Sequence, residues 1–401
     1  MAPFGARPAP RFRTRATLRV RQDGDYLGHR TPARHELDLM METDLVVVVT
    51  GGAGYLGRVL VAQLLENRVL TPTEVRVLDL QAPTQSSPRL RWLQGDVRDL
   101  DAVRGACRGA HLVFHCAAIV DWGRVSDREL EAVNVGGTTN VVEACRLEGT
   151  PALVHTSTMD VVYTGHPILD GDESLPIATR FPNGYCRTKA QAEIAALAAN
   201  GTELKKPGPN GERQLLVTAV RPCCVFGEGD PFHIGSLIEM ARKGRLVRVG
   251  DGSARSQFCY VGNVAHLHLL AGKLLRVADG PPAGRAYFVT DDEPANFFDF
   301  LSPFVQAAGY SVPPPDRALP RGPLYAVGTM LEGLSWLVRP LVRFTPVLTR
   351  FAVDFVCLDF TIRTDKAHRE LGYTPRYSPH EARVRVIEHY QGATDRESAS
   401  E

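Results

Sequence analysis

A glycine-rich turn between an apolar strand and an amphipathic helix constrains the fold of this chain more than any other feature. The turn spans Thr50–Gly57 (TGGAGYLG) and follows the apolar run Leu45–Val49. The residues after it, Arg58–Leu65, alternate as those of an amphipathic helix do. A strand, a glycine turn and a helix in this order predict the phosphate-binding turn of a βαβ dinucleotide-binding fold.

Three of the four glycines of the turn have separate physical reasons to be there. Gly51 permits a tight turn, Gly54 lets the backbone approach a pyrophosphate, and Gly57 lets helix and strand pack closely. The phosphates would then lie at the helix N-terminus, where free amides favour anions. The alternative is a glycine-rich turn that binds no ligand.

From Leu45 onward, strand patterns alternate with helical patterns, which predicts parallel pairing with right-handed crossovers. The fold class is therefore α/β, a Rossmann-like doubly wound parallel sheet with a smaller C-terminal substrate-binding domain. Beyond the first strand, the predicted strands are Glu74–Asp79, Leu90–Asp96, Ala110–Ala118, Ala152–Ser157 and Leu215–Pro222.

The same pattern predicts how the chain is divided. Residues 1–43 are rich in Arg, Pro and Gly and are interpreted as a disordered extension. A translation start at Met40 or Met41 and a mitochondrial presequence are the two alternatives. Residues 44–230 form the predicted NAD-binding domain with the catalytic residues, residues 231–391 the substrate-binding region, and residues 392–401 a tail.

Composition excludes several classes of protein. The formal net charge of +1 gives no argument for nucleic acid as a partner, and none is predicted. The eight cysteines are scattered without a Cys-x-x-Cys pair, so reduced thiols are expected and neither a disulfide scaffold nor a metal site is predicted. No secretory signal or transmembrane run is recognised. The sequence predicts a cytoplasmic protein, and leaves membrane association open.

Asp79 ends the second predicted strand, where a carboxylate can accept hydrogen bonds from the ribose hydroxyls of an adenosine. The same carboxylate would repel a 2′-phosphate. NAD is therefore favoured over NADP. The alternative is a solvated carboxylate at a strand end.

Tyr185 and Lys189 are separated by four positions, which places both on one face of a helix. A lysine cation near a phenol favours the phenolate and lowers its pKa, so that the phenol can exchange a proton with a substrate hydroxyl. The hydroxyl cluster His155-Thr156-Ser157-Thr158 ends the preceding strand at the edge where such folds bind ligands. The alternative is that these hydroxyls cap a turn.

These motifs together resemble the extended short-chain dehydrogenase/reductases, and within them the 3β-hydroxysteroid dehydrogenase branch. The resemblance covers roughly residues 46–391. Its motifs are the glycine turn, Asp96, His115-Cys116-Ala117-Ala118, Asn134-Val135-Gly136-Gly137-Thr138, Thr158, Tyr185-x-x-x-Lys189, Ala219-Val220-Arg221-Pro222, Tyr260–Ala265 and Lys366–Tyr373.

The resemblance implies a role for each matching residue. Tyr185 would be the general base, Lys189 would bind the nicotinamide ribose, and Thr158, which stands where most steroid members have serine, would orient the substrate oxygen. Asp96 would contact the adenine, and Asn134 would hold the helix that supports the active site. The implied cofactor-binding set is Gly51, Gly54, Tyr55, Leu56, Gly57, Asp79, Asp96, Val97, Ala117, Ala118, Asn134, Tyr185, Lys189 and Pro222.

The resemblance also implies a substrate. A steroid or sterol would need an apolar pocket, and the segment 322–344 is expected to cover that pocket or to make peripheral contact with a membrane. The alternative is a helix that packs on the core. A homodimer is expected by analogy.

Some members of the branch also isomerise the ring double bond. The resemblance implies an acid for this near Asp291-Asp292, but Phe288 stands where a tyrosine is expected. Asp292-Glu293-Pro294 followed by Phe297-Phe298 instead resembles members that oxidise and decarboxylate sterol 4-carboxylates. Three other readings remain open: a nucleotide-sugar epimerase, a phenolic reductase of the same superfamily, and a non-catalytic dinucleotide sensor.

Overall fold

The structure of the protein is a computed structural model. It describes residues 44–66, 68–121, 125–277, 280–291, 293–338, 346 and 348–398. The disordered extension predicted for residues 1–43 lies outside the described residues.

A twisted parallel sheet forms the centre of the fold and confirms the predicted α/β class. Its parallel strands are β1 (Val46–Thr50), β2 (Glu74–Asp79), β3 (Leu90–Gln94), β4 (Leu112–His115), β5 (Ala152–Thr156), β8 (Gln214–Pro222) and β11 (Ala286–Val289). They follow the order β3-β2-β1-β4-β5-β8-β11, and all of these neighbours pair in parallel. A short strand, β7 (Thr202–Glu203), pairs antiparallel with β8.

Helices cover both faces of the sheet, and this explains why its strands are apolar on both sides. In β1, Val47 and Val49 belong to one core cluster and Val48 belongs to the opposite one, since successive side chains alternate between faces. The helices of the first face are α1 (Tyr55–Leu65) and α7 (Val261–Leu275), and those of the second are α2 (Leu100–Cys107), α4 (Gly137–Glu148) and α5 (Gly184–Ala198).

The chain after β8 builds a second group of elements around an aromatic core in which Phe258 and Phe300 stack at 3.8 Å. The two short sheets beside it pair β9 (Cys224–Phe226) with β10 (Phe258–Tyr260) and β6 (Ile168–Gly171) with β12 (Phe360–Ile362). The remaining helices are α3 (Asp127–Leu130), α6 (Ile234–Arg242), α8 (Phe297–Ala307), α9 (Arg321–Val338), α10 (Arg350–Cys357), α11 (Asp365–Leu371) and α12 (Pro379–Ser398).

Two elements do not respect the boundaries predicted at residues 230 and 391. The sheet takes its last strand, β11, from beyond residue 230, and α12 continues to Ser398, within the stretch that the sequence assigns to a tail. The division into a cofactor domain and a substrate region stays a prediction. Within the described part of the chain, no helix combines the length and the apolar character that crossing a membrane requires.

Candidate active site

In the glycine turn, Gly51 and Gly57 leave no room for a side chain. Gly51 has a φ of +71°, and a Cβ there would lie 2.6 Å from the amide nitrogen of Ala117. A Cβ on Gly57 would overlap the carbonyl oxygen of Gly51. Gly54 is different, because it is exposed and its Cβ would meet only the Gly51 oxygen, at 3.1 Å. The turn therefore packs tightly on its inner side and stays open at Gly54.

Two carboxylates stand at the ends of neighbouring strands beside this turn. Asp79 accepts hydrogen bonds from the backbone N–H of Ala53 at 2.9 Å and of Gln81 at 3.1 Å, and so fixes the turn to β2. Asp96, just after β3, pairs with Arg98 at 2.5 Å, and this partner holds the pKa of Asp96 below its usual range. Both carboxylates therefore lie at the carboxyl edge of the sheet.

A cavity opens at the same edge, where β5 and β8 end. It brings together seven of the residues implied by the resemblance. Cys116, Thr156, Ser157, Asp160 and His233 also line it. The predicted residues in its wall are Tyr55, Leu56, Ala118, Thr158, Tyr185, Lys189 and Pro222.

Two further predicted cofactor residues, Ala117 and Val97, do not line the cavity. Ala117 packs under Gly51, and Val97 is buried against Gly137, where a Cβ would approach its side chain to 2.7 Å. These residues shape the binding edge from within the fold.

Helix α5 carries Tyr185 and Lys189 in its first turns. Asn183 caps this helix by accepting a hydrogen bond from the N–H of Cys186 at 2.9 Å. The Lys189 Nζ donates to the carbonyl oxygen of Thr156 at 2.6 Å, which fixes the amine at the end of β5. Burial lowers the pKa of Lys189 to about 8, because the charged form is poorly solvated.

The electrostatics of Tyr185 differ from the expectation that Lys189 would lower its pKa. Burial raises the pKa of Tyr185 well above its usual value, and the carboxylate of Asp160 raises it further. The hydroxyl of Thr158 acts in the opposite direction. A helical spacing of four places Tyr185 and Lys189 on one face, but it does not determine how deeply that face is buried.

Asn134 supports the site without lining the cavity. It lies in a π-helical turn, Glu131–Gly136, and is buried. Its Oδ1 accepts from the N–H of Ile119 at 2.8 Å, and its Nδ2 donates to the Ile119 carbonyl and to Thr188 Oγ1, both at 3.1 Å. Asn134 therefore joins the loop after β4 to α5.

Apolar residues also line the cavity, among them Val120, Met159, Phe232 and Phe355. Phe355 belongs to α10 and stacks on His233 with ring centroids 5.9 Å apart. Among the described residues that line the cavity, none comes from positions 322–338, so α9 does not cover the pocket as expected. Residues 339–345, in the remainder of that segment, lie outside the described residues.

Helix α9 instead presents a stripe of four exposed apolar side chains on its outer face. They are Val327, Met330, Leu334 and Leu337. Their spacing of three and four positions is that of one helix face.

Asp291 lies in the interior and ties four segments together. Its carboxylate accepts hydrogen bonds from the N–H of Tyr260 and the Nδ2 of Asn263, both at 2.9 Å, and from the Tyr373 hydroxyl at 2.6 Å. The thiol of Cys259 donates to it as well, at 3.2 Å. Asp291 is therefore a structural carboxylate in this fold, and Asp292 lies outside the described residues.

The two phenylalanines that follow Asp292 in the decarboxylase-like motif are also structural. Phe297 and Phe298 are both buried in the aromatic core of the second group of elements.

Sequence reasoning missed Asp160 and His233 as parts of this site. Asp160 follows Thr158 by two positions, and an acid just past a strand end at the carboxyl edge is a signal that could have identified it. His233 precedes α6 in a loop with no recognisable motif. Only the fold brings it to the cavity.

Comparison with known proteins identifies the relatives of this chain. The model of the 3-beta hydroxysteroid dehydrogenase/isomerase family matches residues 48–320. The chain is 36% identical over 359 residues to mouse 3 beta-hydroxysteroid dehydrogenase type 7, covering 86% of this chain and 96% of the mouse protein. It is 34% identical to short-chain dehydrogenase/reductase family 42E member 1 of Xenopus laevis, covering 82% of this chain and 84% of that protein.

Solved structures share the fold. The dTDP-glucose 4,6-dehydratase DesIV of Streptomyces venezuelae, solved with NAD and TYD bound, superposes with a TM-score of 0.66 at 23% identity, covering 87% of this chain and 97% of DesIV. A UDP-galactose 4-epimerase gives a TM-score of 0.62 at 21% identity, with 88% and 99% covered. The chain belongs to the 3-beta hydroxysteroid dehydrogenase/isomerase family, and is an oxidoreductase of the short-chain dehydrogenase/reductase superfamily that acts on hydroxyl groups.

Proposed function

We propose that this protein oxidises the 3β-hydroxyl of a steroid or sterol to the 3-ketone, with NAD as its cofactor. The observation that carries the proposal is the cavity itself. It holds Thr158, Tyr185 and Lys189 together with apolar side chains, next to the glycine turn. A proton-transfer group beside an apolar volume suits a hydroxyl on a lipid ring system.

The residues around the turn fit a dinucleotide. Gly51 and Gly57 hold the backbone where a side chain has no room, and Gly54 leaves the outer side open for a pyrophosphate. Asp79 presents a carboxylate to the adenosine ribose and would repel a 2′-phosphate, so NAD is favoured over NADP. Among the described residues, the buried Ser157 Oγ and Tyr55 hydroxyl have no hydrogen-bond partner, and both residues line the cavity.

The chain supplies the proton chemistry. In its phenolate form, Tyr185 accepts the proton of the substrate hydroxyl at its phenolic oxygen, while Thr158 orients the substrate oxygen. Lys189, fixed by the Thr156 carbonyl, places a cation beside the nicotinamide ribose. Bound NAD supplies the acceptor for the hydride that leaves the carbinol carbon.

The apolar wall distinguishes this proposal from its alternatives. Val120, Met159, Phe232 and Phe355 offer few hydrogen bonds to a sugar, which argues against a nucleotide-sugar epimerase. A non-catalytic sensor would need no Tyr185. Oxidative decarboxylation of a sterol 4-carboxylate uses the same first step, and stays a second candidate for the complete reaction.

The exposed stripe of α9 supports a further proposal, peripheral contact with a membrane surface from which a sterol could be taken. Charged substitutions at Met330 and Leu334 should then reduce sedimentation with phospholipid vesicles. Unchanged sedimentation would contradict the proposal. The homodimer expected by analogy stays a prediction.

A substrate panel tests the proposed function. The purified protein is incubated with NAD and 3β-hydroxysterols, sterol 4-carboxylates or nucleotide sugars, and reduced cofactor is followed by absorbance. We expect turnover on sterols, with a loss of at least about 100-fold in Tyr185→Phe, the scale of general-base catalysis. Equal turnover by Tyr185→Phe would refute the mechanism, and no turnover on any sterol would refute the substrate class.

A further inference from the structure

Asp160 places a carboxylate in the wall of the catalytic cavity. It lies in the 3-10 turn Met159–Val162, two positions after Thr158. Its Oδ2 accepts a hydrogen bond from the Thr158 hydroxyl at 3.1 Å, and its own backbone N–H donates to Thr158 Oγ1 at 3.3 Å. The Thr158 hydroxyl is therefore held by Asp160 through both the side chain and the backbone.

This arrangement decides where the hydroxyl proton of Thr158 points. A threonine hydroxyl carries one proton and two lone pairs, and an ionised carboxylate can only accept. With Asp160 ionised, the proton is directed to Asp160. One of the two lone pairs of Thr158 accepts from the backbone N–H of Asp160, so Thr158 presents one lone pair to the cavity. It can accept a hydrogen bond from an alcohol but donates none to a ketone.

The charge of Asp160 also acts on Tyr185, which lies in the same cavity and is 7% exposed. A Tyr185 phenolate and the Asp160 carboxylate would be two like charges in a poorly solvated environment. Their repulsion disfavours ionisation of the phenol. The Lys189 cation, which could offset this effect, donates its hydrogen bond to the Thr156 carbonyl.

Asp160 is ionised at the pH values at which the phenol of Tyr185 titrates. Burial raises the pKa of Asp160 to about 6, while Thr158 and His233 lower it. The titratable groups that face Asp160 come from α5, the end of β8, β9 and the loop before α6, and are Tyr185, Cys186, Cys223, Cys224 and His233. Those that face Tyr185 are Asp160 and Cys186, with the Thr158 hydroxyl.

We propose that Asp160 is a positioning residue for this reaction, which directs the Thr158 proton away from the substrate oxygen and opposes formation of the Tyr185 phenolate. The inference rests on the proposed function, because it takes Thr158 and Tyr185 as the groups that meet the substrate. It adds Asp160 as a third side chain, which determines the direction of the Thr158 proton and the ease with which Tyr185 ionises.

The first test is a titration of Tyr185 in the full chain with NAD bound. Tyrosine labelled with ¹³C at Cζ reports phenol and phenolate by chemical shift, and Tyr185→Phe identifies the signal. We expect the midpoint in Asp160→Asn to be lower than in the unaltered protein by roughly 1 pH unit or more, the scale of one nearby charge. Asp160→Glu restores the charge and should return the midpoint toward its original value.

Glu173→Gln is the matched control. Burial raises the pKa of Glu173 as it does that of Asp160, but Glu173 accepts its hydrogen bond from the N–H of Phe288 and does not line the cavity. This variant should leave the Tyr185 midpoint unchanged. Equal midpoints in Asp160→Asn and the unaltered protein would overturn the inference, as would a phenol that stays neutral in both. An equal shift in Glu173→Gln would overturn it too.

The titration requires NAD and no sterol, so a failed sterol assay would count against the proposed function and not against this inference. A second readout tests the Thr158 proton. The asparagine amide in Asp160→Asn can donate to Thr158 and release its proton toward a ketone, so the KM for the 3-ketone should fall relative to the KM for the alcohol. An unchanged ratio would contradict this part of the inference.

Discussion

Two glycines of the same turn should separate folding from cofactor binding. Gly57→Ala places a methyl group against the Gly51 carbonyl oxygen and 2.7 Å from the Cα of Gly52. Carbon atoms in contact lie about 3.5 to 4.0 Å apart, so the backbone must move by roughly 1 Å. Such overpacking costs roughly 1 to 3 kcal/mol of the free energy of unfolding.

Gly54→Ala has a different consequence. Its methyl group meets only the Gly51 oxygen, at 3.1 Å, and the residue has a φ of −71° that alanine adopts freely. The free energy of unfolding should therefore change by less than about 1 kcal/mol. The new methyl group occupies the open side of the turn, where the pyrophosphate would lie. Loss of one charged hydrogen bond, about 1.5 to 3 kcal/mol, weakens NAD binding roughly 10- to 100-fold.

Urea unfolding and calorimetric titration with NAD measure both quantities on the same preparations. Gly54→Ala should retain its unfolding midpoint and lose NAD affinity, and Gly57→Ala should lose stability. If Gly54→Ala bound NAD as tightly as the unaltered protein, the pyrophosphate would not lie on this turn. The interpretation of this edge of the sheet as the dinucleotide-binding site would then be refuted.

Three further substitutions test other parts of the structure. Asp79→Ala should reduce the preference for NAD over NADP at least about tenfold by removing a charge that repels a 2′-phosphate, and equal ratios of dissociation constants would contradict this. Tyr373→Phe removes one donor from the buried Asp291 and should lower the free energy of unfolding by about 1 to 3 kcal/mol in urea, a loss absent if Asp291 is solvated. Lys189→Met should abolish turnover yet raise stability at neutral pH by at most about 3 kcal/mol, since the pKa of Lys189 is depressed by burial to about 8. The unfolded chain binds more protons between that value and the usual lysine pKa, so the stability of the unaltered protein should rise with pH across this window, and that rise should disappear in Lys189→Met.

The sequence predicted most of the sheet because the physical signals were local. Apolar runs of strand length, separated by helical patterns, placed β1, β2 and β5 within a residue or two of their observed bounds. The topology predicted that the site residues share the carboxyl edge of the sheet, because the last residues of parallel strands that end together lie close to one another. This is how Asp79 and Thr158 could be named in advance.

What the sequence could not predict depended on packing between distant segments. Residues 322–344 and helix α10 are both apolar, and composition alone does not determine which of them meets the cavity. Phe355 does so because α10 follows directly into β12, which pairs with β6 beside the site. The pKa of Tyr185 was likewise set by burial and by Asp160, neither of which helical spacing reveals.

The last strand of the sheet bears on whether residues 44–230 could fold alone. β11 hydrogen-bonds along Ala219–Pro222 of β8, the segment that delivers Pro222 to the cavity wall. A fragment that ended at residue 230 would leave that side of β8 unpaired, and an unpaired apolar strand is a template for aggregation. Chain synthesised after residue 230 therefore completes the pairing of β8. In a nascent polypeptide, that pairing requires residues 286–289 to have left the ribosome.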